Sequence, residues 1–140
     1  MRLAQILLTV AAIQYGFMPP IADFTESHVF HEAWPPHARL HLVWLLAIGT
    51  GISTYVIYLV WRRTGNHVER LKLASFLGVI VLGGFFAATA TQNYYGGALS
   101  DPMHEKLILG INANFFTFSV AALLQIIAIL IIWRKSDHSS

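Results

Sequence analysis

The chain contains no cysteine. Disulfides, thiolate metal centres, iron–sulfur clusters and cysteine nucleophiles are thereby excluded. Charge is scarce too: Asp, Glu, Lys and Arg make up 11% of the 140 residues, against 56% hydrophobic residues. A water-soluble domain carries about 25% charged residues, so that class is excluded. The net charge of +2 is small and its basic residues are dispersed, and nucleic acid is not an expected partner. There is no internal repeat, no low-complexity segment and no His-Glu-x-x-His signature.

Four stretches lack acidic and basic residues altogether: Leu3–Ala22, Leu42–Trp61, Leu73–Ser100 and Leu107–Trp133. Each reaches the length of about 20 residues that a helix needs to cross a bilayer core. The expected fold is all-α, a single domain over residues 1–140 forming an integral-membrane four-helix up-down bundle. Its helices are expected at about 3–22, 38–61, 70–95 and 105–133, with an outer loop at 23–37. The lipid bilayer is the first partner.

Cytoplasmic flanks of membrane helices collect Lys and Arg. With both termini inside, Arg2, Arg62, Arg63, Arg70, Lys72, Arg134 and Lys135 are cytoplasmic, and only Arg39 and Lys106 lie outside. The expected topology is N-in, C-in, in a bacterial inner membrane with the histidine-rich loop extracytoplasmic. The first run has no clean small-x-small site, so it is read as a span rather than a cleaved signal peptide. Pro19-Pro20 is expected to end helix one, Pro35-Pro36 to open helix two, and Ser100 or Asp101 to cap helix four. Gly83, Gly84, Ala87, Ala88 and Thr91 form a small-residue stripe on helix three. It suits packing inside the bundle or, alternatively, a subunit contact in a homo-oligomer.

Polar residues within membrane spans face the bundle interior or a cavity. The topology brings Gln14, Tyr15, His37, His41, Trp44, Gln92, Tyr94, Asn112 and Asn114 to the outer half of the membrane. That asymmetry points to a cavity opening outward. The alternative is a set of interhelical hydrogen bonds that only hold the bundle together. His28, His31, His37 and His41 lie in or beside the outer loop, with His104 on the same side. His37 and His41 are four apart and share a helix face. Imidazole is the commonest transition-metal ligand, which makes His41 a candidate metal ligand. Arg39 is expected to pair with Glu32, Asp23 or Asp101, or to bind an anionic group. Trp34 is an interfacial anchor.

Glu26-Ser-His28-Val, followed by Ala38-Arg39-Leu-His41 at the head of helix two, resembles the bacterial styrene oxide isomerases. These are short four-helix membrane proteins that bind haem b. Ile80-Val-Leu-Gly-Gly84 also resembles the entry to their third helix. The block from Asp23 to His41 that contains Trp34-Pro-Pro-His37-Ala-Arg39 looks closer to a poorly characterised set of small bacterial and fungal membrane proteins. The first resemblance implies a trimer with haem b ligated by His41, with Arg39 on a propionate and with His37 and Trp44 lining the pocket. The haem iron would act as a Lewis acid that opens an epoxide of an apolar small molecule. Two family positions differ here: Ala47 replaces an asparagine and Thr91 a tyrosine. Asn112, Tyr94 and Gln92 are then the candidate catalytic contacts, with His28 and Asn114 beside them. The expectation is an isomerase-like membrane enzyme. The alternatives are a non-catalytic accessory subunit of a membrane complex and a metal-free lipid- or sterol-binding protein.

Overall fold

The computed structural model describes residues 1–100 and 105–137, and 76% of it is helical. The all-α reading holds. The elements are α1 (Arg2–Gly16), α2 (Met18–Asp23), α3 (Pro36–Trp61), α4 (His67–Tyr95), a two-stranded antiparallel hairpin of β1 (Leu107–Ile108) and β2 (Ile111–Asn112), and α5 (Ala113–Asp137). Four helical segments are long and apolar enough to cross a membrane: Arg2–Asp23, Pro36–Trp61, His67–Tyr95 and Ala113–Lys135.

α1, α3, α4 and α5 each bury one narrow stripe at helical spacing. On α1 the stripe is Ala4, Leu8, Ala11, Ala12 and Tyr15; on α4 it is Leu71, Ala74, Ser75, Gly78 and Leu82. On α3 it is Leu46, Ser53, Val56, Leu59 and Val60, and on α5 Ala121, Gln125, Ala128 and Ile132. The small residues let the backbones approach closely. Leu45, Phe76, Ile80, Leu123 and Leu130 are among many large apolar side chains left exposed. A water-soluble monomer does not present apolar surface on that scale, whereas a membrane helix does. The Gly83–Thr91 stripe does not pack inside this chain as expected. Gly83, Gly84, Ala87, Ala88 and Thr91 are exposed, and nothing lies within 4 Å of a Cβ added at either glycine.

The first span is broken where the prolines act one turn upstream. Proline has no N–H for the carbonyl four residues before it, and its ring crowds that carbonyl. Pro20 therefore leaves the Gly16 carbonyl without its helical donor. α1 therefore stops at Gly16, one turn before the prolines that were expected to end it, and the same prolines then open α2. The Thr50 hydroxyl of α3 donates to the released Gly16 carbonyl at 2.9 Å, and also reaches the Leu46 carbonyl at 2.9 Å. A Cβ at Gly16 would meet the Ser53 side chain, so α1 and α3 are in van der Waals contact at this joint.

The end of α3 is closed by its neighbours. Its last carbonyls lack intrahelical partners. Gln5 Nε2 donates to the Val60 carbonyl at 2.8 Å, and Arg70 Nη1 donates to the Leu59 carbonyl at 2.7 Å. Asn66 caps α4 by accepting from the Val68 and Glu69 N–H groups. Between α4 and α5, the buried Gln125 amide donates to the Ser75 carbonyl at 2.8 Å, and Phe85 stacks on Phe118 with centroids 4.0 Å apart.

The fourth long helix starts at Ala113, not near residue 105. Leu109 (φ 52°) and Gly110 (φ 79°) turn the chain into the hairpin. Asn112 then caps α5, its Oδ1 accepting from the Asn114 and Phe115 N–H groups at 3.0 and 3.3 Å. The expected cap at Ser100 is thus replaced by Asn112, and Asp101 lies outside the described residues.

The Thr50 joint generates a prediction. Thr50→Val keeps the side chain's volume but leaves the Gly16 carbonyl unpaired, and should lower stability by about 1–3 kcal/mol. Thr50→Ser should retain most of it. Denaturation of the purified protein in detergent reads both.

Candidate functional site

The segment between α2 and α3 is a compact series of turns tied down from within. The His28 N–H donates to the Thr25 carbonyl, Val29 N–H to Asp23, His31 N–H to His28 and Trp34 N–H to His31. Val29 is buried. Arg39, one turn into α3, reaches back across the loop. Its Nη2 donates to the His31 carbonyl at 2.6 Å and the Glu32 carbonyl at 3.3 Å, and its Nε donates to the Trp34 carbonyl at 3.1 Å. The expected loop lock is present, and among the described residues it is made through backbone carbonyls rather than the Asp23 or Glu32 carboxylate; Asp101 lies outside the described residues.

This clamp holds the loop over one end of the bundle and forms a small polar pocket there, of about 70 Å³. Asp23 from the end of α2, Ser27 and His28 from the loop, Ser100 from the α4–β1 connection, and Lys106, Asn112 and Asn114 around the hairpin line it. The His28 Nε2 lies 3.9 Å from Asp23 Oδ1, its Nδ1 is hydrogen-bonded to Ser27 Oγ at 2.9 Å, and its ring sits edge-on to Trp34 with centroids 6.1 Å apart. Asn114 Nδ2 donates to the Leu99 carbonyl at 3.1 Å, fastening α5 to the segment after α4. A carboxylate, an ammonium group, an imidazole and two amides thus converge where α2, the loop and the hairpin meet.

Of the residues singled out from sequence, His28, Asn112 and Asn114 come together in this pocket. The others do not. Tyr94 is 92% exposed and Gln92 is not among the pocket's lining residues; the Gln92 carbonyl accepts from Gly96 and Gly97 at the end of α4. His37, His41 and Trp44 fall on the side of α3 opposite Leu46 and are exposed. There the His41 and His37 Nε2 atoms are 3.0 Å apart and the Trp44 ring is 5.9 Å from His41. Arg39 is turned toward the loop instead. An open apolar groove of about 560 Å³ runs beside α2 and α3, lined by Pro20, Phe24, Val43, Leu46, Ala47, Thr50, Gly51 and Thr54. His41 is not part of that lining, so the residues expected to hold haem b do not enclose a haem within one chain. His104 lies outside the described residues.

Sequence reasoning missed Asp23 and Lys106 as site residues. The usable signal was their opposite charge in two loops assigned to the same face of the membrane. Arg39 as a clamp also predicts a measurement. Arg39→Ala removes a charged donor worth about 1.5 kcal/mol. The amides of His28, His31 and Trp34 should then exchange with deuterium about tenfold faster, whereas those of Leu71 and Ala74 should be unaffected.

A model of one protein family, described as "Family of unknown function (DUF6640)", matches residues 7–108, well over half of the chain. The tRNA(His) guanylyltransferase of Schizosaccharomyces pombe (strain 972 / ATCC 24843) is 34% identical over 100 residues, which cover 66% of this chain and 37% of that protein. The chain therefore spans little more than a third of this curated relative's length. No solved structure matches the chain. The relative's name denotes a nucleotidyltransferase, not a membrane epoxide isomerase, and this overturns the expected isomerase function. The accessory-subunit and lipid- or sterol-binding alternatives find no support in it either.

Proposed function

The chain belongs to DUF6640, a family of unknown function, and from that premise we propose that it is an integral membrane protein that binds a small zwitterionic solute at an extracytoplasmic mouth. The observation that carries this reading is the pocket at the loop end, where Asp23 and Lys106 face a shared space with the Asn112 and Asn114 amides. Lys106 and the amide donors suit a carboxylate end. Asp23 and Ser27 suit an ammonium end, with His28 held beside Asp23. A volume of about 70 Å³ admits two or three waters or a molecule of a few heavy atoms. The chemistry is recognition by paired charges of opposite sign in a polar recess at the loop end.

The up-down arrangement with both termini inside belongs to the same proposal. Contacts between the start of α1 and the end of α3, and between Ser75 and Gln125, support antiparallel neighbours. Seven of the nine basic residues then lie on the cytoplasmic side.

The lack of cysteine makes topology directly measurable. Single substitutions Glu26→Cys and Glu105→Cys should react with a membrane-impermeant maleimide in intact cells. Thr64→Cys should react only after permeabilisation. Labelling of Thr64→Cys alone in intact cells would reverse the orientation.

Binding is tested by thermal unfolding in detergent with glycine, acetate and methylamine as probes. Glycine should raise the melting temperature by several degrees at saturating concentration, and acetate or methylamine by less. Asp23→Asn and Lys106→Ala should each remove the glycine effect. An equal response to all three solutes, or a glycine effect that survives both substitutions, would overturn the reading.

A further inference from the structure

We propose that His37 and His41 form a two-imidazole clamp for a divalent transition-metal ion on the outer edge of α3, separate from the mouth pocket. The pair stands one helical turn apart on one face. The two Nε2 atoms are hydrogen-bonded to each other at 3.0 Å, with the rings nearly perpendicular at 88°, and an ion would take the place of the proton they share. Two imidazole nitrogens bound to a tetrahedral ion at about 2.0–2.1 Å lie roughly 3.4 Å apart. The pair reaches that bite by opening a few tenths of an ångström along exposed side chains.

Four features suit the clamp to an aqueous ion. Pro35 and Pro36 fix the start of α3, so His37 and His41 occupy its first two turns. Both imidazoles are on the exposed side of the helix. Trp44 lies next along the same face, 59% exposed, and an indole at that depth marks the membrane–water boundary. Arg39, the nearest cation in sequence, is directed into the loop by three backbone carbonyls and leaves the histidine face uncharged.

Among the described residues no group of three histidines or carboxylates converges on one point. The chain supplies two ligands, and water fills the remaining positions. Imidazole pairs favour Cu²⁺, Ni²⁺ and Zn²⁺ over Mg²⁺, Ca²⁺ and Mn²⁺, with Cu²⁺ the tightest.

The test uses the full chain purified in detergent without a histidine tag. Cu²⁺ titration followed by electron paramagnetic resonance should show one ion per chain with two equatorial nitrogens. Ni²⁺ should be retained through desalting, and Mg²⁺ should not. His37→Gln and His41→Gln should each lose the two-nitrogen signal and the retained Ni²⁺. His28→Ala, in the mouth pocket, should keep both. A Ni²⁺-dependent rise in melting temperature that vanishes in His41→Gln gives a second readout on folded protein. Wild type without retained Cu²⁺ or Ni²⁺, an unchanged signal in His41→Gln, or loss of the ion in His28→Ala would overturn the proposal.

Discussion

The carbonyl of Gly16 governs the shape of this molecule. A buried backbone oxygen left unpaired costs about 1–3 kcal/mol, and Pro20 removes its ordinary donor. The Thr50 hydroxyl fills that place from the neighbouring helix. This single bond lets the first span stop early, joins α1 to α3, and frees α2 and the loop to cover the end of the bundle. Gly16 is suited to the position because any larger residue would overlap Ser53.

Once α3 is fixed at Thr50 and Ser53, its helical phase sorts the chemistry at its N-terminal end. Arg39 and His41 are two residues apart, so their side chains leave the helix about 200° apart. Arg39 turns to the loop and makes three bonds to its carbonyls. His41 turns outward with His37 and Trp44. One dense histidine segment is thereby divided into two places: the mouth pocket around His28 and Asp23, and the exposed pair on α3.

Much of this was legible in the sequence, and the failures have physical reasons. The four helices long and apolar enough to cross a membrane follow from the missing charges. The start of α3 follows from Pro35-Pro36. The start of α5 did not, because Leu107, Ile108 and Ile111 are as apolar as the span they precede. Only the left-handed turn at Leu109 and Gly110 separates them from it. Position along the helices was readable from the order of residues, and it brought His28, Asn112 and Asn114 to the same end of the bundle. Which face of each helix turns inward was not read. The spacing of Leu71, Ala74, Ser75, Gly78 and Leu82 on α4 carries that information, and extending it places Tyr94 off the inner stripe. The same lesson applies to α3, where Leu46, Ser53 and Val56 set the inner face and put His41 opposite.

The central claim is that α3 presents one narrow stripe to the bundle and turns its histidine and aromatic face away. Nitroxide labels placed singly from residue 44 to residue 60 in lipid nanodiscs measure this through collision with dissolved oxygen. The account predicts accessibility with a helical period, high at residues 44, 48 and 55 and low at 46, 53, 56 and 60. A flat profile, or minima at residues 44, 48 and 55, would contradict it.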